Sequence, residues 1–163
     1  MRIYSLDNLR FLVIDPSRHM QHLIMTVLRA FGAREFETAS DGLIARSKLE
    51  VHRPDIIITE LALPRMDGLE LTRMVRSATC SSNPFVPIIM CTSHTEISNV
   101  VAARESGVTE FLAKPISAGS LYKRIYITID NPREFLRIPG YVGPDRRRHS
   151  DPNYAGPKRR KAD

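Results

Sequence analysis

Residues 55–71 read DIIITELALPRMDGLEL, and this stretch decides the fold class. The run from Asp55 to Glu60 is apolar at Ile56, Ile57 and Ile58, a pattern that suits a strand buried on both faces, as in a parallel sheet. It ends on a carboxylate, Glu60. The loop LALPRMDG follows, with Pro64 and Gly68 as punctuation, and a helix is expected from Leu69 to Arg76. Buried strand, polar group at its carboxyl end, loop, helix: this is the repeating unit of an α/β fold.

The same unit recurs to either side. From Arg10 the run FLVI ends at Asp15, and Asp15-Pro-Ser turns the chain into a helix with apolar positions at Leu23, Ile24, Val27, Leu28 and Phe31, closed by Gly32. Glu35 to Ala39 reads as a short strand, and Ser40-Asp-Gly opens a helix to about His52, stopped by Pro54. After a polar loop from Ser77 to Pro84, Pro87 to Thr92 is a third apolar strand, ending on a hydroxyl. Glu96 to Ser106 reads as helix with a Gly107 stop, and Glu110 to Ala113 as a short strand. Lys114-Pro115 marks a special turn, and Ser117 to Ile129 reads as a final helix. Five strands alternating with five helices argue a doubly wound, five-stranded parallel sheet over residues 1–130, covered on both faces. The functional crevice of such a sheet lies outside the carboxyl ends of its strands, which is where Asp15, Glu60, Thr92 and Lys114 fall.

Composition separates this body from a tail. Of the 163 residues, those from Asn131 to Asp163 hold nine Lys or Arg against four Asp or Glu, leaving fifteen against fourteen for residues 1–130. The tail therefore holds five of the six net positive charges, and it also carries five of the eleven prolines. Its sizeable apolar residues, Phe135, Leu136, Ile138, Tyr141, Val142 and Tyr154, are too few for a core of their own, so disorder in the absence of an anion is the expectation. The two cysteines, Cys80 and Cys91, lack metal-ligand spacing and suit reduced thiols. His19 and His22 lack a third ligand and read as surface positions, and Lys123 and Arg124 as a solvated helix face. With neither a signal sequence nor an apolar run long enough to span a bilayer, a cytoplasmic protein is expected.

FLVIDPS, IIITELALPRMDGLEL, PIIMCTS and EFLAKPI occur in an order that resembles the receiver domain of two-component response regulators, the CheY-like family, over about three quarters of the chain. The resemblance implies a phosphoacceptor Asp after the third strand, an acidic pair after the first that holds Mg²⁺ with it, and a Thr and a Lys that stabilise the acyl phosphate. Here Pro16 replaces the second acid of the pair and Glu60 stands at the acceptor position. Asp15, Glu60, Thr92 and Lys114 then form a degenerate phosphorylation site, with no catalytic residue and no metal expected. Glu60 has two readings: its longer carboxylate reaches Lys114 and Thr92 and imitates the phosphorylated state, or it makes an ordinary salt bridge.

In the tail one pattern occurs twice, YVGPDRRR from Tyr141 and YAGPKRRK from Tyr154. Tyrosine offers a face for base stacking, Gly-Pro a bend that lets Tyr and Arg converge, and arginine a fork for phosphate oxygens or for guanine O6 and N7. Asp145 is an acceptor for a guanine's Watson-Crick edge. A ligand with guanines and phosphates together satisfies every member, which points to cyclic di-GMP. A receiver without its phosphoacceptor, followed by these motifs, resembles the Cle group of CheY-like cyclic di-GMP effectors, whose Arg-rich extension binds the dinucleotide while the receiver body docks on the flagellar motor switch protein. The resemblance assigns Tyr141, Gly143, Pro144, Asp145, Arg146, Arg147 and Arg148 to one half-site. Tyr154, Gly156, Pro157, Arg159 and Arg160 form the other, in which Lys158 replaces the aspartate. Arg133 and Arg137 are auxiliaries. It implies a binding protein that modulates motility or surface attachment, not an enzyme. Two other classes stay open: a phosphorylation-dependent single-domain regulator, and a nucleic-acid-binding adaptor that uses the basic tail as a tether.

Overall fold

The computed structural model describes residues 5–77 and 81–146. In chain order its elements are β1 (Arg10–Ile14), α1 (Arg18–Ala30), β2 (Glu35–Ala39), α2 (Gly42–His52), β3 (Ile56–Thr59), α3 (Gly68–Arg76), β4 (Ile88–Thr92), α4 (Ile97–Ser106), β5 (Glu110–Ala113), α5 (Ala118–Asp130), β6 (Phe135–Ile138) and β7 (Tyr141–Pro144). The first five strands form one parallel sheet in the order β2-β1-β3-β4-β5. This is the doubly wound architecture expected from the alternation of apolar runs and helical spacing.

Period-two alternation along the strands divides the core between the two faces. Leu12, Ile14, Ile57, Ile88 and Met90 meet Ala45 of α2, Leu71 and Val75 of α3, and Ala103 of α4. Phe11, Val13, Ile56, Ile58, Ile89 and Cys91 meet Ile24 and Leu28 of α1 and Leu121 and Ile125 of α5. Helix starts are fixed locally. Ser17 accepts a hydrogen bond from the Met20 amide, which sets α1 four residues ahead of the His22 where the apolar spacing first becomes clear. Asp67 and Glu70 form a capping box on α3, as Ser117 and Ser120 do on α5.

The tail departs from the expectation of disorder in its first half. β6 and β7 pair as an antiparallel hairpin, Phe135 opposite Pro144 and Ile138 opposite Tyr141, joined by Pro139 and by Gly140 at φ +80°. Proline followed by a positive-φ glycine is the sequence of a type II turn. Five apolar residues cannot make a core, but they can complete a surface that the body already presents. Phe135 lies under the Arg76 guanidinium, 5.0 Å from its ring centroid, and edge-on to Phe85 at 5.5 Å. Backbone of β7 comes so close to the end of α4 that a Cβ on Gly107, itself at φ +101°, would lie 2.7 Å from the Val142 carbonyl oxygen.

Candidate functional site

The sheet ladder runs one residue past each strand and so sets the crevice side chains next to one another. The Asp15 amide donates to the Ala39 carbonyl, the Glu60 amide to Ile14 at 2.9 Å, and the Lys114 amide to Thr92 at 2.9 Å. Lys114, beside a cis Lys114–Pro115 peptide, then turns its ammonium between two carboxylates. Its Nζ donates to Asp15 Oδ2 at 2.7 Å and to Glu60 Oε2 at 2.5 Å. The other Glu60 oxygen accepts from the amides of Leu61 at 2.7 Å and Ala62 at 3.3 Å, and the Thr92 hydroxyl accepts from the His94 amide at 3.1 Å. Glu60 and Asp15 are buried, with 6 % and 2 % of their surface exposed.

Burial alone would raise the Glu60 carboxyl, but the Lys114 hydrogen bond, the Thr92 hydroxyl and the ammonium charge outweigh it and hold its pKa below the ordinary value. Burial likewise opposes the charge on Lys114, yet its bonds to Asp15 and Glu60 raise its pKa. Each charged form supports the other. Glu60 thus reaches Lys114, in a pair largely withdrawn from solvent. Beneath the cluster, burial pushes the Cys91 thiol up to about 12, so it is no nucleophile.

Magnesium needs several oxygen ligands in near-octahedral order. Asp15 and Glu60 bring two carboxylates, Pro16 brings none, and the Lys114 ammonium already sits against both acids. These residues do not fit the ion. An acyl phosphate also requires a carboxylate free to attack, and both Glu60 oxygens are engaged.

In the tail, Gly-Pro does bring Tyr and Arg together, but on each other. The Arg146 guanidinium lies 4.0 Å from the Tyr141 ring centroid, and the Tyr141 hydroxyl donates to the Pro144 carbonyl at 2.7 Å. Gly143 passes under the ring, where a Cβ would stand 2.6 Å from the Tyr141 hydroxyl oxygen and 2.8 Å from Gly107 Cα. With 7 % of its surface exposed, Tyr141 is a hairpin residue here and its ring is taken by Arg146. Asp145 and Arg146 close the described segment, part-buried. Arg147, Arg148, Tyr154, Gly156, Pro157, Arg159 and Arg160 lie outside the described residues.

Two residues that anchor the tail escaped the sequence reading. Arg76, 3 % exposed, donates to the carbonyls of Gly107, Pro84 and Val86, and burial lowers its pKa to about 10. Nothing at the end of an amphipathic helix distinguishes such an arginine from a solvated one. Glu110, also 3 % exposed, pairs with Arg124 at 2.9 Å and with Arg133. Arg124 is therefore more than part of a solvated face: it ties α5 to β5, and Arg133 ties the tail to the same carboxylate. The available signal was a glutamate opening an otherwise apolar strand. The crevice and the hairpin occupy opposite ends of β5, with Glu110 at one and Lys114 just beyond the other.

The model of the response regulator receiver domain matches residues 11–126. The DNA-binding response regulator MtrA of Mycolicibacterium paratuberculosis is 33 % identical over 135 residues, which are 79 % of this chain and 56 % of that protein. The chain thus spans about half the length of that curated relative. Among solved structures, the chemotaxis response regulator CheY4 of Vibrio cholerae superposes with a TM-score of 0.68 at 30 % identity, covering 74 % of this chain and 98 % of the other. The receiver domain of sensor histidine kinase PA1611 from Pseudomonas aeruginosa, which has magnesium coordinated in its active site cleft, gives 0.65 at 28 % identity over 72 % of this chain and 94 % of its own. Order of motifs, sheet topology and these likenesses agree: the chain belongs to the response regulator receiver family.

Proposed function

We propose that this receiver takes its input as cyclic di-GMP at the Arg-rich tail rather than as a phosphoryl group at Glu60. The observation that carries the reading is the closed ion cluster of Asp15, Lys114 and Glu60 beside Pro16. A carboxylate one methylene too long, bound by an ammonium and two amides, is a poor nucleophile, and misplacement on this scale costs rate heavily. The signal must then enter elsewhere. The doubled YxGP motif with its arginine runs supplies stacking faces, turns and bidentate donors for guanine and phosphate. In the first copy Tyr141 is spent on the hairpin, so ligand contacts there fall to Asp145 and Arg146, Arg147 and Arg148. Tyr154, Arg159 and Arg160 carry the second half-site. Neutralising the tail on binding changes how the receiver surface engages a protein partner, for which the flagellar motor switch protein is the candidate. No catalytic step and no metal enter.

Titration calorimetry on the full chain tests this. Cyclic di-GMP should bind, and GTP and cyclic di-AMP should bind far more weakly; equal binding of all three would overturn the specificity. A second reading, a phosphorylation-dependent regulator with the tail as tether, is favoured by the family membership and by relatives named as response regulators. Intact-mass measurement after incubation with acetyl phosphate and Mg²⁺ separates the two, because an added phosphoryl mass supports the second. A nucleic-acid adaptor would instead bind single-stranded RNA or DNA with a steep salt dependence.

A further inference from the structure

Where the hairpin crosses the body, a cleft of about 400 Å³ opens between α4, the start of β5 and the segments flanking β6 and β7. Its volume falls in the range of about 300–1,000 Å³ common to small-molecule sites. Val100 and Phe111 give it apolar walls, and Arg104, Arg133 and Arg146 surround it with three guanidinium groups. One carboxylate, Glu110, lies in the lining, and Arg124 and Arg133 already bind it. The surplus charge of the cleft is positive. Arg146 lines it with its guanidinium stacked over the Tyr141 ring.

We propose that this cleft on the receiver body seats one guanine and its adjoining phosphate, with Phe111 and Val100 against the base and Arg104 and Arg146 on the phosphate. The inference rests on the cyclic di-GMP reading and deepens it, since it makes the binding site a joint product of body and tail. Arg146 belongs to both: it lines the cleft and directly precedes Arg147 and Arg148 in the sequence. The site also has a route to the receiver surface. Val100 and Arg104 stand on α4, whose Ile97 is 83 % exposed, and β5 carries Glu110 and Phe111 in the cleft and leads to Lys114 in the ion cluster.

The test is calorimetry with cyclic di-GMP on the full-length wild type and on Arg104→Glu, Val100→Trp and Lys123→Glu. Arg104→Glu reverses a charge at the cleft, Val100→Trp fills it with no charge change, and Lys123→Glu makes the same charge reversal on an exposed position of α5. Both cleft variants should bind about ten-fold more weakly or worse, Arg104→Glu by loss of a charge-assisted contact and Val100→Trp by filling the space the base takes, and Lys123→Glu should stay within about two-fold of wild type. Unchanged thermal melts establish that the variants fold. Should one cleft variant fail to fold, the other decides. If wild type binds and the folded cleft variants match Lys123→Glu, the cleft is not the site and the ligand reading stands on the tail alone. If wild type does not bind at all, the ligand reading itself falls, and this inference with it.

Discussion

Replacing Glu60 by Gln removes the charge from the ion cluster and keeps its shape. The amide oxygen can still accept from Leu61 and Ala62, and Lys114 keeps Asp15, so the change isolates the 2.5 Å bond between Lys114 and Glu60. Both side chains are largely buried, 15 % and 8 % exposed, which places the bond among charge-assisted hydrogen bonds worth about 1.5–3 kcal/mol rather than among surface bridges worth under about 1. Urea unfolding at neutral pH should show a loss in that range with an unchanged m-value. The pH dependence has a definite sign. Because the folded-state pKa of Glu60 is depressed, its contribution is complete above the unfolded value near 4.5 and is lost as pH falls through the lower folded value. The gap between wild type and Glu60→Gln should therefore close in strong acid. A difference under about 0.5 kcal/mol at neutral pH, or one that stays constant into strong acid, would refute the reasoning.

Other consequences follow from the hairpin and the core. Arg76→Ala leaves the carbonyls of Gly107, Pro84 and Val86 without their donor and Phe135 without its cover, and should cost about 3 kcal/mol or more in urea unfolding. Gly143→Ala forces a Cβ against Tyr141 and the Gly107 backbone, so the hairpin should undock; limited trypsin digestion at Arg137 should accelerate while the far-UV spectrum of the body is preserved. Tyr141→Phe loses only the bond to Pro144, a loss of about 1 kcal/mol that hydrogen exchange should locate in residues 135–144. In a Cys80→Ser background, Cys91 should resist thiol reagents until the protein is unfolded by urea, as a buried thiol with a pKa of about 12 requires.

Most of the sheet was legible because its strands are apolar runs that end on polar groups, a pattern set by burial on both faces. The crevice followed, since Asp15, Glu60, Thr92 and Lys114 each close such a run. Helix starts were less certain: Ser17 caps α1 before any apolar spacing begins. The first part of the tail, residues 131–146, was misjudged for a physical reason. Composition asks whether a segment can bury its own core, and residues 131–146 cannot, but a hairpin that docks needs only to complete a surface already built. Arg76, Phe85 and Gly107 supply that surface, and none of them signals it in sequence. Tyr141 shows the same limit at one residue: an aromatic beside an arginine reads as a stacking site, and only the fold reveals that the two are each other's partners.

The central claim is that the signal enters through the tail arginines. Calorimetry with cyclic di-GMP, comparing full-length wild type with a variant carrying Arg147→Ala, Arg148→Ala, Arg159→Ala and Arg160→Ala, tests it most directly because Arg146, which braces the hairpin, is left in place. Binding by wild type and its loss in the variant is the expected result; unchanged affinity in the variant would contradict the claim.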